Sequence, residues 1–152
     1  MSRVHKRVLF VCIGNACRSQ MAEGFACAYG SDVMIAASAG LHPAARLADD
    51  TIQAMDEKGI DIREHFPKTI RNLGRATFDL VINMSGLPIP EKQTGAAEVR
   101  AWDVDDPICM SYEDHCGVRD RIEGLVMTLI LELRRASLAP KLHGFGSGRV
   151  EL

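Results

Sequence analysis

The chain carries few aromatic residues: one Trp, two Tyr and five Phe, 5% of its 152 positions. Its core must therefore be aliphatic, from a composition that is 47% hydrophobic. It also lacks any apolar run near the ~20 residues of a membrane span. Residues 1–7 are polar and basic, but the apolar stretch Val8 to Val11 is too short for a secretory h-region. Neither sign of charge dominates: 18 basic residues face 20 acidic ones, for a net charge of −2. That excludes an electrostatic binder of nucleic acid or of a membrane surface. The five cysteines are odd in number and follow neither a disulfide framework nor a metal-ligand spacing. A reduced, cytoplasmic protein that needs no metal or cofactor is the expectation. There is no internal repeat and no sign of a second domain. Residues 1–138 read as one domain, and 139–152, with Gly144, Gly146 and Gly148, as a flexible C-terminal tail.

Strand-like and helix-like segments alternate along the chain. Strands are expected over Arg7–Val11, Val33–Ala37, Asp79–Met84 and Val99–Trp102. Helices are expected over Gln20–Tyr29, Leu47–Lys58, a short stretch Thr69–Arg75, and Tyr112–Arg135, whose Val118, Ile122, Leu125, Leu129 and Leu133 share one face. Such alternation predicts an α/β fold with a four-stranded parallel sheet and helices on both faces. Ligands in such sheets bind at the carboxyl ends of strands.

One segment sits at such an end and carries chemistry. The strand runs into Cys12-Ile13-Gly14-Asn15-Ala16-Cys17-Arg18-Ser19, and a helix follows. A strand–loop–helix turn aims backbone N–H groups at one spot, and the helix N-terminus adds partial positive charge. That setting favours the thiolate form of a cysteine. Gly14 lets the backbone approach an anion, and Asn15 tolerates a left-handed conformation. Arg18 can clamp two oxygens of a tetrahedral oxyanion. Ser19 can donate to the Cys12 sulfur and stands where a helix cap belongs. Ile13 to Ser19 thus read as an oxyanion-binding loop, with Cys12 as nucleophile. A second element is Trp102-Asp103-Val104-Asp105-Asp106-Pro107, after the fourth strand. A carboxyl there can protonate a leaving group; the plainer reading is an acidic loop or a cap for the long helix.

The Cys-x5-Arg-Ser spacing of Cys12 to Ser19 resembles the phosphate loop of the low-molecular-weight protein tyrosine phosphatase superfamily. The neighbouring Ser19-Gln20-Met21-Ala22-Glu23-Gly24 is similar to the thioredoxin-coupled arsenate reductases built on the same Rossmann-like fold, since phosphatases usually have proline at Gln20. The resemblance spans residues 7 to 135. It implies Cys12, Arg18 and Asp106 as the catalytic set, with Asp106 directly before Pro107 as general acid. It implies Ser38 steadying the loop asparagine and His65 hydrogen-bonding near the loop. Cys17 matches a residue that, in such phosphatases, forms a reversible disulfide with the nucleophile; the alternative is a small loop residue without chemistry.

The chain departs from both groups. Ser85 stands where the arsenate reductases carry a resolving cysteine and the phosphatases an aspartate, and Leu87-Pro88-Ile89-Pro90 holds no sulfur. A three-thiol relay cannot run in its usual positions, which leaves Cys17 and a displaced pair Cys109/Cys116 as redox candidates; Cys27 reads as core. Ile108 and Cys109 follow Asp-Pro where tyrosine phosphatases often place aromatics, and Tyr112 either substitutes in part or packs the helix start. The leading expectation is a cysteine-dependent phosphomonoester hydrolase working through a phosphocysteine, on a phosphorylated protein or a small phosphomonoester. The alternatives are an arsenate reductase served by thioredoxin, glutaredoxin or a low-molecular-weight thiol, and a non-catalytic module binding phosphate or arsenate.

Overall fold

The computed structural model describes residues 5–95 and 97–147, with 139–147 as backbone alone. The elements run β1 (Lys6–Cys12), α1 (Arg18–Tyr29), β2 (Met34–Gly40), α2 (Asp49–Asp56), a 3-10 turn (Arg71–Leu73), β3 (Leu80–Asn83), α3 (Glu91–Thr94), β4 (Glu98–Ala101) and α4 (Tyr112–Ser147). The sheet is parallel throughout, in the order β2-β1-β3-β4. As expected, it is a four-stranded α/β sheet, with β1 between its neighbours.

Because successive strand residues face opposite sides, β1 feeds two cores. Val8, Phe10 and Cys12 join Met21, Phe25, Met55, Ile122, Val126 and Ile130, the apolar stripes of α1, α2 and α4. Leu9 and Val11 join Ala39, Ile70 and Val81, packed under Leu73, Phe78, Ile89 and Ala97. The cover is thus unequal: three long helices lie on one face, and a 3-10 turn with connecting segments on the other. Burying one such large aliphatic side chain stabilises the fold by about 1.5–3 kcal/mol.

Several boundaries move. α1 begins at Arg18, two residues earlier than expected, and its cap position is Cys17 with no side-chain cap. Ser19 is not the cap, because it lies inside the first turn and its hydroxyl is engaged with Cys12 and Asn15. The expected helix Thr69–Arg75 shrinks to the 3-10 turn, closed by Gly74 at φ 70°. α3 was not anticipated; four residues carry no periodicity to detect. α4 continues to Ser147, past Arg135, where the amphipathic pattern stops. That pattern marks only the packed part, whose last buried side chain is Leu133, and an established helix propagates without further packing. Of the expected tail, 139–147 belong to this helix and 148–152 lie outside the described residues. Among the described residues no helix is long and apolar enough to cross a membrane.

Candidate active site

The carboxyl end of β1 delivers Cys12 into a loop whose carbonyls all turn outward. Cys12 O accepts from Leu41 N (3.1 Å), Ile13 O from His42 N (2.8 Å), Gly14 O from Ala44 N (2.9 Å) and Ala16 O from Ala48 N (3.3 Å). Asn15 O accepts from Gln20 Nε2 (3.2 Å) and Cys17 O from Met21 N (3.0 Å). The opposite sides of these peptides carry the N–H groups. Among the described residues, the N–H groups of Gly14, Asn15, Ala16 and Cys17 donate to no protein acceptor. Asn15, Ala16 and Cys17 are buried. A run of buried amides without acceptors is costly unless an anion takes them. The uncapped N-terminus of α1 adds its dipole to the same place.

Asn15 adopts the left-handed conformation the sequence suggested, at φ 51°. Its side chain is locked: Oδ1 accepts from Lys68 N (3.0 Å) and Gln20 Nε2 (3.1 Å), and Nδ2 donates to Ser19 Oγ (2.7 Å). Since Asn15 fills an acceptor site of Ser19, the hydroxyl proton is free to point at Cys12 Sγ, 2.9 Å away. A hydroxyl so aimed stabilises a thiolate. Gly40, paired with Cys12 across the sheet, closes the loop from behind: a Cβ there would lie 2.7 Å from Ile13 O and 2.9 Å from Asn15 N. At Gly14 the protein itself leaves room, since a Cβ would meet Ala44 at an ordinary 3.8 Å.

Arg18 is 4% exposed. Its Nη1 donates to Met84 O (2.5 Å) and Val104 O (3.0 Å), the carbonyls that follow β3 and β4. Its Nη2 lies 3.5 Å from Asp106 Oδ2. Asp106, whose side chain is 42% exposed, also accepts from Ile108 N at 3.1 Å. The structure therefore brings Cys12, Arg18 and Asp106 to one edge of the sheet, as the sequence led us to expect.

The supporting residues differ from expectation in part. Ser38 does not hold Asn15; its hydroxyl donates to Glu23 Oε1 at 2.5 Å, a charged acceptor on α1, while the Asn15 amide is taken by Ser19, Gln20 and Lys68. His65 reaches the loop through another residue: its Nδ1 lies 3.0 Å from Gln20 Oε1. Gln20, fully buried, is the centre of that network and also donates to Phe66 O (3.2 Å). In the sequence Gln20 stands out only as a departure from proline; an amide side chain three residues into the helix of an oxyanion loop is the signal that marks it. Ser85 is tied to Asn83 and Leu87. Tyr112 donates to Glu57, so it fastens α4 to the end of α2.

The five cysteines are unpaired, and Cys27 is exposed on α1, not part of the core. Cys17 is buried, and that burial pushes its thiol up to about 11. Cys109 is exposed at φ 72°. Cys116 is half-buried on α4 beside Tyr112, and the candidate pair Cys109/Cys116 stands as two free thiols. Also unanticipated are Thr51 and His115, both buried, with Oγ1 and Nε2 2.9 Å apart. Burial holds His115 below the usual histidine range. Among the described residues no cluster of His, Cys, Asp or Glu is arranged to hold a metal ion.

Comparison with known proteins places this geometry. The model of the family "Low molecular weight phosphotyrosine protein phosphatase" matches residues 7–139. The chain is similar to the glutaredoxin arsenate reductase of Synechocystis sp., 35% identical over 130 residues that cover 84% of this chain and 98% of that one. It is 33% identical to arsenate reductase 1 of Staphylococcus epidermidis over 128 residues, 81% of this chain and 94% of that one. Among solved structures, an arsenate reductase in the phosphate-binding state superposes with a TM-score of 0.77 at 35% identity, covering 84% and 98% of the two chains. A low molecular weight protein tyrosine phosphatase from T. tengcongensis superposes with a TM-score of 0.68 at 30% identity, covering 84% and 99%.

Proposed function

The chain belongs to the low molecular weight phosphotyrosine protein phosphatase family, and from that premise we propose that it is a thiol-dependent arsenate reductase. The observation that carries the reading is the row of acceptor-free N–H groups from Gly14 to Cys17 beside Cys12 Sγ and the Arg18 guanidinium. A tetrahedral oxyanion satisfies those donors and meets the sulfur in line. Relatives named arsenate reductases, at 33–35% identity over nearly their whole length, support reduction over hydrolysis.

In this reading Cys12 attacks arsenic, and Arg18 with the loop amides holds the oxygens as charge builds. Asp106 gives a proton to the departing oxygen. A second thiol then attacks the Cys12 sulfur, and arsenite leaves with the electron pair. Ser19, 2.9 Å from the Cys12 sulfur, is placed to donate to it as it leaves and returns.

A second reading, phosphomonoester hydrolysis on the same residues, is favoured by one observation: Ser85 offers no sulfur at the end of β3. There Cys12 takes the phosphoryl group, and Asp106 first protonates the leaving oxygen and then activates water. Two assays separate the readings. Arsenate-dependent arsenite formation with glutaredoxin, thioredoxin or glutathione supplied, lost in Cys12→Ser, supports the first. Turnover of p-nitrophenyl phosphate with no arsenite under any of the three reductants would replace it with the second.

A further inference from the structure

We propose that Cys17 and Cys109 form a thiol relay that carries the oxidising equivalent from Cys12 to the surface, where a dithiol protein of the glutaredoxin or thioredoxin class removes it. The proposal rests on the arsenate-reductase reading and supplies the resolving thiols that Ser85 does not.

The three sulfurs step outward. Cys12 and Cys17 are 2% and 5% exposed, and Cys109 is open to solvent. Cys17 and Cys109 line one open cleft of about 270 Å³, together with Asp49, Asp50, Pro107 and His115. Cys109 is held there by a tight turn, in which Met110 N donates to Pro107 O at 3.0 Å. The turn follows directly on Asp106, and the cleft meets the reacting centre at Cys17, the last residue of the oxyanion loop before α1.

Cys17 needs a base, because burial keeps it protonated at neutral pH. One is present. Cys17 hydrogen-bonds Thr51, whose Oγ1 is 2.9 Å from His115 Nε2. Burial favours the neutral imidazole, and in the Nδ1–H tautomer its Nε2 is placed to accept from the Thr51 hydroxyl. Neither Thr51 nor His115 has a role in oxyanion binding.

The steps balance. Cys12 thiolate displaces one oxygen of arsenate, which leaves as water; a Cys12–arsenic bond forms. Cys17 passes its proton through Thr51 to His115 and attacks the Cys12 sulfur. The Cys12–Cys17 disulfide forms, the sulfur–arsenic bond breaks, and its electron pair reduces arsenic(V) to arsenite. Cys109 thiolate then attacks Cys17, giving a Cys17–Cys109 disulfide and freeing Cys12. The external dithiol attacks the exposed Cys109 sulfur and is oxidised in turn.

The test treats the reduced full chain with arsenate and no reductant, alkylates free thiols, and maps disulfides by mass spectrometry. A Cys17–Cys109 disulfide with free Cys12 is expected. Cys109→Ser is expected to release one arsenite per chain, stop at Cys12–Cys17, and lose about tenfold or more in glutaredoxin-coupled turnover; Cys116→Ser keeps full turnover. Wild-type chain that stops at Cys12–Cys17 with Cys109 alkylated, or Cys109→Ser that turns over at the wild-type rate, overturns the relay. Stoichiometric hydrogen peroxide in place of arsenate oxidises Cys12 directly. If peroxide yields Cys17–Cys109 while arsenate yields no arsenite, the relay stands and the arsenate reading falls.

Discussion

Replacing Gln20 with Leu removes one amide and leaves the side-chain volume nearly unchanged. The amide is fully buried and spans three segments: it donates to Asn15 O, Asn15 Oδ1 and Phe66 O, and faces His65 Nδ1. Its loss is unequal for these partners. Asn15 Oδ1 keeps Lys68 N, and Phe66 O keeps Lys68 Nζ at 3.1 Å. His65 is only half-buried and can turn to water. Among the described residues Asn15 O has no other donor, so one buried carbonyl is orphaned, at a cost of about 1–3 kcal/mol. With the weakened neighbours added, Gln20→Leu is expected to lower unfolding free energy by about 2–3 kcal/mol, measured by urea denaturation. The orphaned carbonyl belongs to the residue at φ 51° that sets the path of the loop. Arsenate affinity, read by calorimetric titration, is therefore expected to fall about tenfold, equal to 1.4 kcal/mol. Stability within 0.5 kcal/mol of wild type together with unchanged arsenate affinity would refute the reasoning, because the network would then be ornament to the loop.

Three other outcomes are expected. Gly40→Ala puts a Cβ against backbone atoms of Ile13 and Asn15 that cannot yield; it should destabilise by about 1–3 kcal/mol in urea and weaken arsenate binding more than it weakens the fold. Arg18→Lys cannot reach Met84 O, Val104 O and an oxyanion together, so turnover should fall about a hundredfold or more while the variant stays folded by circular dichroism. His115 is held below its unfolded value near 6.5 by burial, against the opposing pull of Asp50 and Asp106. The neutral form is thus favoured in the fold, its stabilisation is complete above pH ~6.5 and is lost as pH falls below it, so the drop in Tm between pH 7 and pH 5 should be smaller in His115→Gln.

The oxyanion loop was legible because its information is local: an apolar strand, a glycine and an asparagine, and an arginine at fixed spacing. Asp106 was legible through its proline and its place after β4. What stayed hidden depends on contacts across the fold. Arg18 is oriented by the carbonyls of Met84 and Val104, 66 and 86 residues away, and main-chain acceptors leave no mark in side-chain identity. Ser38 was assigned to Asn15, yet Glu23, one turn into α1, captures it. Thr51 and His115 lie 64 residues apart, and each reads alone as an ordinary polar residue on a helix. Cys109 and Cys116 suggest a pair by their nearness in sequence, whereas the cleft that Cys109 shares with Cys17, ninety-two positions back, leaves no mark in the sequence.

The central claim is that four main-chain donors after β1 receive the oxyanion that Cys12 attacks. Amide chemical shifts followed by NMR during an arsenate titration of Cys12→Ser test it most directly. The account predicts saturable downfield shifts at Gly14, Asn15, Ala16 and Cys17, with one shared affinity. Arsenate that binds while those four amides stay unmoved would contradict it.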